Sequence, residues 1–308
     1  MLNGGTMHVD VERVHSQDRR HARDELAVEE PLEIRLHAEI DGRLVRKTVS
    51  VTMRTPGDDP NLAAGFLFTE GIVRDAADIE EIRHCGPADA SENAGNVIRV
   101  RLAPGCTVDL GRLERNFYTT SSCGVCGKTS INALRAVSRF TLPPGEPRID
   151  AALVHRLPGV LREAQALFDR TGGLHASALF DATGRLRALR EDVGRHNALD
   201  KVIGAELLAG RLPAHDRILL VSGRASFELV QKAMMAGIPV LAAVGAPSSL
   251  AVALAAECGM TLLGFVRDGR FNIYAGGERI DERVIERRAW EFPVPSPQSP
   301  VPGRLTHG

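Results

Sequence analysis

The sequence predicts an α/β protein in which a small N-terminal α+β domain is followed by a larger α/β domain. Apolar and polar residues alternate over residues 32–40, which is the pattern of a strand with one buried face. Between residues 218 and 266, short apolar runs alternate with helical segments, which is typical of βαβ crossovers and of a sheet with helices on its faces. The 308 residues are enough for roughly two domains of ordinary size.

The composition is that of a soluble globular protein, with 44% hydrophobic and 25% charged residues. A formal net charge of -1 argues against a surface that coats nucleic acid or an anionic membrane. Residues 1–25 lack the continuous apolar stretch of a secretory signal and predict a disordered lead. The most apolar region, residues 238–256, is interrupted by prolines and glycines and predicts a buried strand and helix. We therefore expect a cytoplasmic protein without nucleic-acid or membrane partners.

The first domain is predicted over residues 26–115. Its hydrophobic periodicity changes from that of strands to that of a helix and back again. In chain order, the predicted elements are a strand at 32–40, a turn at Asp41-Gly42, a strand at 44–53, a helix that begins at Asp59-Pro60 and ends near Gly71, and a strand at 97–102.

A mobile loop rich in Ser, Thr and Gly is predicted over residues 116–130, and it separates the first domain from a second one at 131–288. The second domain is predicted to begin with helix and strand and to end in alternating units. Its elements are helices near 150–170, 197–208, 227–236 and 248–258, and strands at 174–180, 185–191, 218–222, 239–244 and 261–266, with a turn at Asp268-Gly269. Residues 289–308 predict a proline-rich tail.

The loop carries the sharpest chemical signal, Cys123-Gly124-Val125-Cys126. Two cysteines at this spacing occur in zinc sites, in thiol-disulfide enzymes and in sulfur carriers. A structural zinc site usually needs four ligands, and the sequence has no second Cys-x-x-Cys and no close His pair. Glycines on both sides give the backbone freedom to swing a thiol, and Lys128 favours its reactive thiolate form. We expect redox or sulfur chemistry and no permanently bound metal, while zinc binding and a structural thiol pair remain alternatives.

His175 is a second candidate, in the segment GGLHAS at residues 172–177. It resembles the His-x-Glu half of the zinc-dependent cytidine deaminases, which also have a Pro-Cys-x-x-Cys half downstream. Ser177 stands where the general-acid/base Glu is required, and the only Cys-x-x-Cys lies upstream. The sequence therefore argues against deamination, and the alternative for His175 is a hydrogen-bonded core or pocket residue.

Two further regions are candidates for binding an anion. In residues 190–201, seven of twelve side chains are ionisable, and the pattern fits either a solvated helix start or a phosphate site that includes Arg195 and His196. Residues 222–228 and 264–270 each follow a predicted buried strand, where open α/β sheets place their ligand crevices. Their arginines are suited to phosphate and Phe265 to a flat ring, whereas the alternative is a surface turn with a core Phe.

Together, these segments closely resemble the FdhD family of formate dehydrogenase accessory sulfurtransferases. The resemblance covers about residues 25–280. Its matching segments are AGFLFTEGI (64–72), SCGVCG (122–127), EDVGRHNALDK (191–201), SGRASFE (222–228) and TLLGF (261–265).

The resemblance implies a cytidine-deaminase-like fold for the second domain and a homodimer. It implies that a cysteine desulfurase loads persulfide sulfur onto Cys123, that Cys126 is the partner cysteine, and that the sulfur passes to bis-molybdopterin guanine dinucleotide before this molybdenum cofactor enters formate dehydrogenase. The cofactor-binding residues that we expect are Phe265, Val266, Arg267, Asp268, Gly269 and Arg270, together with Arg224 and His196. The alternative function is that of a noncatalytic, zinc-bound assembly factor or chaperone for the dehydrogenase.

Overall fold

The computed structural model describes residues 5–40, 43–85, 95–106 and 140–281. These residues form a mixed α/β structure. The strands are β1 (Thr6–His15), β2 (Asp18–Ala27), β3 (Glu30–Ile40), β4 (Arg43–Arg54), β5 (Ile79–His84), β6 (Val97–Leu102), β7 (Ile149–Asp150), β8 (His175–Asp181), β9 (Leu186–Asp192), β10 (Arg217–Val221), β11 (Val240–Ala243), β12 (Thr261–Arg267), β13 (Arg270–Ala275) and β14 (Ile280–Asp281). The α-helices are α1 (Asp59–Thr69), α2 (Ala151–Ala164), α3 (Ala166–Thr171), α4 (Arg195–Leu208), α5 (Phe227–Met235) and α6 (Ser249–Glu257).

The first sheet has four strands in the order β4-β3-β6-β5. β3 pairs antiparallel with β4 and parallel with β6, and β5 pairs antiparallel with β6. Alternate residues of β3, including Leu32, Ile34 and Leu36, are buried in the same apolar cluster as residues of α1. The three predicted strands and the helix of this region are confirmed, whereas β5 was not predicted.

Helices α1 and α4 cross at two glycines. A Cβ atom on Gly65 would lie 1.9 Å from the carbonyl oxygen of Asp200, and one on Gly204 would lie 1.9 Å from the carbonyl oxygen of Asn61. No side chain fits at either position, because the two backbones are in direct contact there. This crossing joins the first sheet to the elements that follow it.

The second sheet has six strands in the order β13-β12-β11-β10-β8-β9, with β10, β11 and β12 parallel to one another. One face lies against α4, α5 and α6, and the other lies against α2. The core on the α4 face is continuous with the core of the first sheet, because Ile34 of β3, Leu62 of α1 and Val202 of α4 belong to one apolar cluster. The predicted division between two domains falls within residues 107–139, outside the described residues, and stays a prediction.

The prediction of a disordered lead is wrong for the greater part of residues 1–25. β1 and β2 form an antiparallel hairpin in which Thr6 pairs with Ala27 and His15 pairs with Asp18. Arg170 of α3 fixes its base, donating to the hydroxyl of Thr6 at 3.1 Å and forming an ion pair with Glu25. Charged residues are frequent in both strands, so the hydrophobic pattern did not lead to a strand prediction. The hairpin depends mainly on pairing between its two strands.

The other predicted elements agree in type with the structure, with one interruption, whereas β7, β13 and β14 were not predicted. The predicted helix at 150–170 is two helices, α2 and α3, separated at Gln165, whose backbone leaves the helical conformation. No helix in the described ranges is long and apolar enough to cross a membrane. The predicted turn at 41–42, the loop at 116–130 and the tail at 289–308 lie outside the described residues.

Candidate functional site

The chemistry-bearing segments meet at one edge of the second sheet. β10, β11 and β12 run parallel, so their carboxyl ends point the same way, and β8 begins at this edge because it is antiparallel to β10. β9 ends there, with Asp192 opposite His175. We call this region the carboxyl edge; it comprises His175 and residues 192–196, 222–228, 244–248 and 264–270. It is the position at which open α/β sheets bind ligands.

Backbone hydrogen bonds connect the loops of the carboxyl edge. The amide of Gly245 donates to the carbonyl of Gly223 at 2.9 Å, and the amide of Phe265 donates to the carbonyl of Gly245 at 3.0 Å. The amide of Ser248 donates to the carbonyl of Ala225 at 3.0 Å, which adds a further bond between the first two loops. Residues 222–228, 244–248 and 264–265 therefore form one connected surface.

Glycines make this close approach possible. A Cβ atom on Gly264 would lie 2.8 Å from side-chain atoms of both Pro247 and Tyr274. One on Gly245 would lie 3.0 Å from the carbonyl oxygen of Gly223 and 3.1 Å from Cγ of Arg224. Gly264 was predicted to belong to the site, whereas the loop at Gly245 was missed; the available signal was a glycine directly after a predicted buried strand.

Phe265 has an unusual backbone conformation. Its φ angle is 54°, in the left-handed region that bulky residues rarely adopt, and the β12–β13 pairing is irregular between Gly264 and Arg267. Its ring is partly exposed, and the guanidinium carbon of Arg267 lies 5.8 Å from the ring centre. Strain of this kind often accompanies function, because the surrounding structure must hold it in place.

The other residues of the predicted 265–270 stretch differ in position. Arg267, Asp268, Gly269 and Arg270 are exposed, and positive φ angles at Asp268 and Gly269 form the tight hairpin turn that the sequence predicts. Val266 is fully buried in the apolar core on the α2 face. Its side chain therefore does not face the carboxyl edge, because alternate residues of a strand point to opposite faces, and only its backbone is left for the predicted contact with the cofactor.

Part of the charged segment at 190–201 serves the fold. The buried carboxylate of Asp192 accepts hydrogen bonds from the amides of Gly194 at 2.8 Å and Thr55 at 3.1 Å, and it lies 2.7 Å from the ammonium of Lys201. The side-chain amide of Asn197 donates to the carbonyl of Met53 at 2.7 Å. These contacts hold the start of α4 against the connection between β4 and α1.

Two other residues of this charged segment, Arg195 and His196, lie at the carboxyl edge. Nε2 of His196 lies 3.3 Å from the hydroxyl oxygen of Ser226 and 3.6 Å from a carboxylate oxygen of Glu228. Burial lowers the pKa of His196 to about 4, assisted by the charges of Arg195 and Lys232 and opposed by Glu228. The ring is therefore neutral near pH 7.

His175 lies next to this group. A Cβ atom on Gly223 would be 3.4 Å from its ring, so the β10 loop packs directly on the imidazole. Burial lowers the pKa of His175, and the Arg195 charge adds to the effect while Asp192 opposes it. Nε of Arg195 is buried and has no hydrogen-bond partner among the described residues. A cation with an unused donor, at the N-terminus of a fourteen-residue helix, suits an anionic ligand.

Three of the predicted binding residues, His196, Arg224 and Phe265, lie on loops that contact one another at the carboxyl edge. His196 meets the 222–228 loop, and Gly245 contacts both Arg224 and Phe265. Cys123 and Cys126 lie outside the described residues, so their position relative to the carboxyl edge stays a prediction. Within the described ranges, no three His, Cys, Asp or Glu side chains are grouped as metal ligands. The zinc alternative thus depends on the two loop cysteines, which lie outside the described residues.

Comparison with protein families finds a match over most of the chain. Residues 27–281 match the model of the FdhD/NarQ family. A sulfur carrier protein FdhD from Streptomyces avermitilis is 56% identical over 263 residues, which are 85% of this chain and 90% of the relative. Proteins of the same name from Mycolicibacterium paratuberculosis and Anaeromyxobacter are 56% and 50% identical, over 83% and 84% of this chain and 91% and 89% of theirs.

A solved structure agrees with these matches. The crystal structure of a formate dehydrogenase accessory protein from Desulfotalea psychrophila is similar with a TM-score of 0.67 and 26% sequence identity. The similarity covers 90% of this chain and 99% of that one. The mixed α/β arrangement described above is therefore shared over nearly the whole of the solved protein.

Proposed function

This chain belongs to the FdhD/NarQ family, and on that premise we propose that it is a sulfur carrier for formate dehydrogenase. It accepts persulfide sulfur from a cysteine desulfurase and delivers it to bis-molybdopterin guanine dinucleotide before this cofactor enters the dehydrogenase. The observation that carries the proposal is the pair Cys123 and Cys126, which lies inside the family-matched range in a segment rich in Gly, Ser and Thr. The names of the curated relatives support the same role.

Sulfur loading is a thiol exchange at Cys123. Its thiolate attacks the terminal sulfur of the desulfurase persulfide, a new S–S bond forms at Cys123, the donor's S–S bond breaks, and the donor cysteine leaves as a thiolate. Lys128 favours the attacking thiolate by its positive charge. Cys126 is close enough in sequence to take part in the next exchange, in which the sulfur moves on.

The carboxyl edge is the proposed binding site for the client cofactor. The guanine-dinucleotide end of the cofactor carries pyrophosphate charge and flat rings. Arg224, Arg270 and the start of α4 supply positive charge, and the unused donor of Arg195 supports binding of an anion there. The partly exposed ring of Phe265 offers a stacking surface. At Gly269 an added Cβ atom would meet nothing within 4 Å, so the backbone there is open to a phosphate.

Two further properties belong to the proposal. We expect the protein to act in the cytoplasm, where thiols stay reduced, and to be a homodimer. Light scattering tests the second expectation, because a homodimer has twice the 33.2 kDa mass of the chain. A mass of one chain at micromolar concentrations would contradict it.

Activation of formate dehydrogenase tests the whole function. Labelled sulfur from cysteine should appear in the cofactor of dehydrogenase matured with a desulfurase and this protein, and enzyme activity should rise with it. Metal analysis of the purified protein distinguishes the alternative. Stoichiometric zinc, with activation that persists in a Cys123→Ala variant, would instead indicate a noncatalytic assembly factor.

A further inference from the structure

Two side-chain pairs, each with one residue on α4 and one on α5, connect these helices at successive turns. We call each pair a rung. On α4, His196 and Asp200 are four residues apart, and on α5 Glu228 and Lys232 are four residues apart, so each set lies along one side of its helix. His196 lies 3.6 Å from Glu228 at the carboxyl edge. One turn deeper, the ammonium of Lys232 lies 3.0 Å from both carboxylate oxygens of Asp200.

The deeper rung is buried and fully engaged. Asp200 and Lys232 are 2% and 6% exposed. The hydroxyl of Thr69 donates to Asp200 at 2.9 Å, and Lys232 also lies 2.8 Å from that hydroxyl and 3.4 Å from the carboxylate of Glu70. Thr69 ends α1, so the cluster joins three helices directly beneath the site.

A contribution to the stability of the fold does not by itself explain why charged residues occupy this buried cluster. Removing two charges from water is costly, and well-packed apolar residues of similar volume often stabilise a fold as well or better. In some proteins, buried charged groups instead fix one specific arrangement of the elements that carry them. The arrangement here sets the register between the α4 turn with His196 and the α5 turn with Ser226 and Glu228.

We propose that Asp200 and Lys232 are positioning residues that hold the ring of His196 against Ser226 and Glu228 at the carboxyl edge. The inference rests on the proposed function and deepens it, because it assigns supporting residues to a member of the client site. It also has an electrostatic component. The charge of Lys232 acts on His196 together with that of Arg195, and Glu228 acts in the opposite sense. The imidazole therefore stays neutral and keeps one donor and one acceptor for its neighbours and for the client.

Two variants remove the lysine charge without leaving a buried charge unpaired. Asp200→Asn/Lys232→Gln replaces the pair by neutral groups of similar shape. Lys232→Met removes the lysine charge alone, and burial, which raises the pKa of Asp200, then favours the neutral carboxyl. In either folded variant, the His196 midpoint measured by NMR titration should rise above its wild-type value. GDP, used as a stand-in for the guanine end of the cofactor, should bind roughly twofold to thirtyfold more weakly.

The control variant is Glu206→Gln, which changes a buried carboxylate farther along the same helix, where its partner is Arg211. It should leave both the His196 midpoint and GDP affinity at wild-type values. A wild-type midpoint and wild-type GDP affinity in both folded test variants would overturn the positioning role. Failure of the wild type to accept sulfur would refute the proposed function. The NMR titration and the GDP affinities would still decide, independently, whether Asp200 and Lys232 position His196.

Discussion

The ammonium of Lys201 lies 2.7 Å from a carboxylate oxygen of Asp192, and both side chains are fully buried at the start of α4. The same nitrogen lies 2.9 Å from the carbonyl oxygen of Thr55, to which it donates. Through these contacts, Lys201 holds the end of β9 and the start of α4 against the chain between β4 and α1. The position of Arg195 and His196 at the carboxyl edge therefore depends on residues that cannot themselves touch a ligand.

Lys201→Met should lower the free energy of unfolding by about 3–5 kcal/mol, because it leaves the Asp192 carboxylate buried without its cation. Urea denaturation measures the change. Arg13→Ala is the control, since Arg13 and Asp24 form an exposed ion pair that should contribute less than about 1 kcal/mol. Equal effects of the two substitutions would contradict the structural role of Lys201.

Gly65→Ala should destabilise the protein by about 1–3 kcal/mol or more, because the added methyl group would overlap the backbone of α4. The matched control is Gly159→Ala in α2, where a Cβ atom meets nothing within 4 Å. That change should stabilise the helix by about 0.5–1 kcal/mol. Thermal or urea unfolding of both variants checks the opposite signs, and a neutral Gly65→Ala would show that the helices do not cross so closely.

The free energy of unfolding should fall as the pH drops from about 6.5 toward 4, in part because of His196. Its pKa is lowered from 6.5 to about 4 in the folded protein, so the unfolded chain binds the proton first. The contribution is complete above the unfolded pKa and is lost as pH falls toward the folded one. His196→Gln should flatten this dependence, and a pH profile identical to that of the wild type would contradict the assignment.

Arg224→Ala and Arg270→Ala should each weaken GDP binding roughly tenfold to a hundredfold, because a charge-assisted contact contributes about 1.5–3 kcal/mol. Calorimetry measures the affinity. Arg156→Ala provides a control, since Arg156 is an exposed arginine on α2, on the other face of the sheet. If both test variants are folded and bind GDP as tightly as the wild type, the client site lies elsewhere.

Local patterns predicted most of the elements. The alternation in β3 and the short apolar runs of β10, β11 and β12 identify strands because burial imposes those periods on the sequence. The carboxyl edge followed from them, since parallel strands end on the same side. The β1–β2 hairpin was missed because nearly half of its strand residues are charged and its stability comes from pairing between strands.

Features that depend on distant contacts could not be predicted. Gly65 and Gly204 look like ordinary helix glycines until the two helices are seen to cross. Val266 lies between two candidate binding residues, and only the strand register shows that it points into the core. The two rungs that His196 and Asp200 form with Glu228 and Lys232 likewise require the packing of α4 on α5, which no single segment encodes.

Intact-mass spectrometry after incubation with a cysteine desulfurase and cysteine tests the central claim most directly. The wild type should gain the mass of one sulfur atom in a form that thiol reductants remove, because the persulfide is a thiol-exchange product. Cys258→Ala, a change at the cysteine that directly follows α6, should load as the wild type does. Cys123→Ala should gain nothing. Undiminished loading of the Cys123→Ala variant would contradict the account.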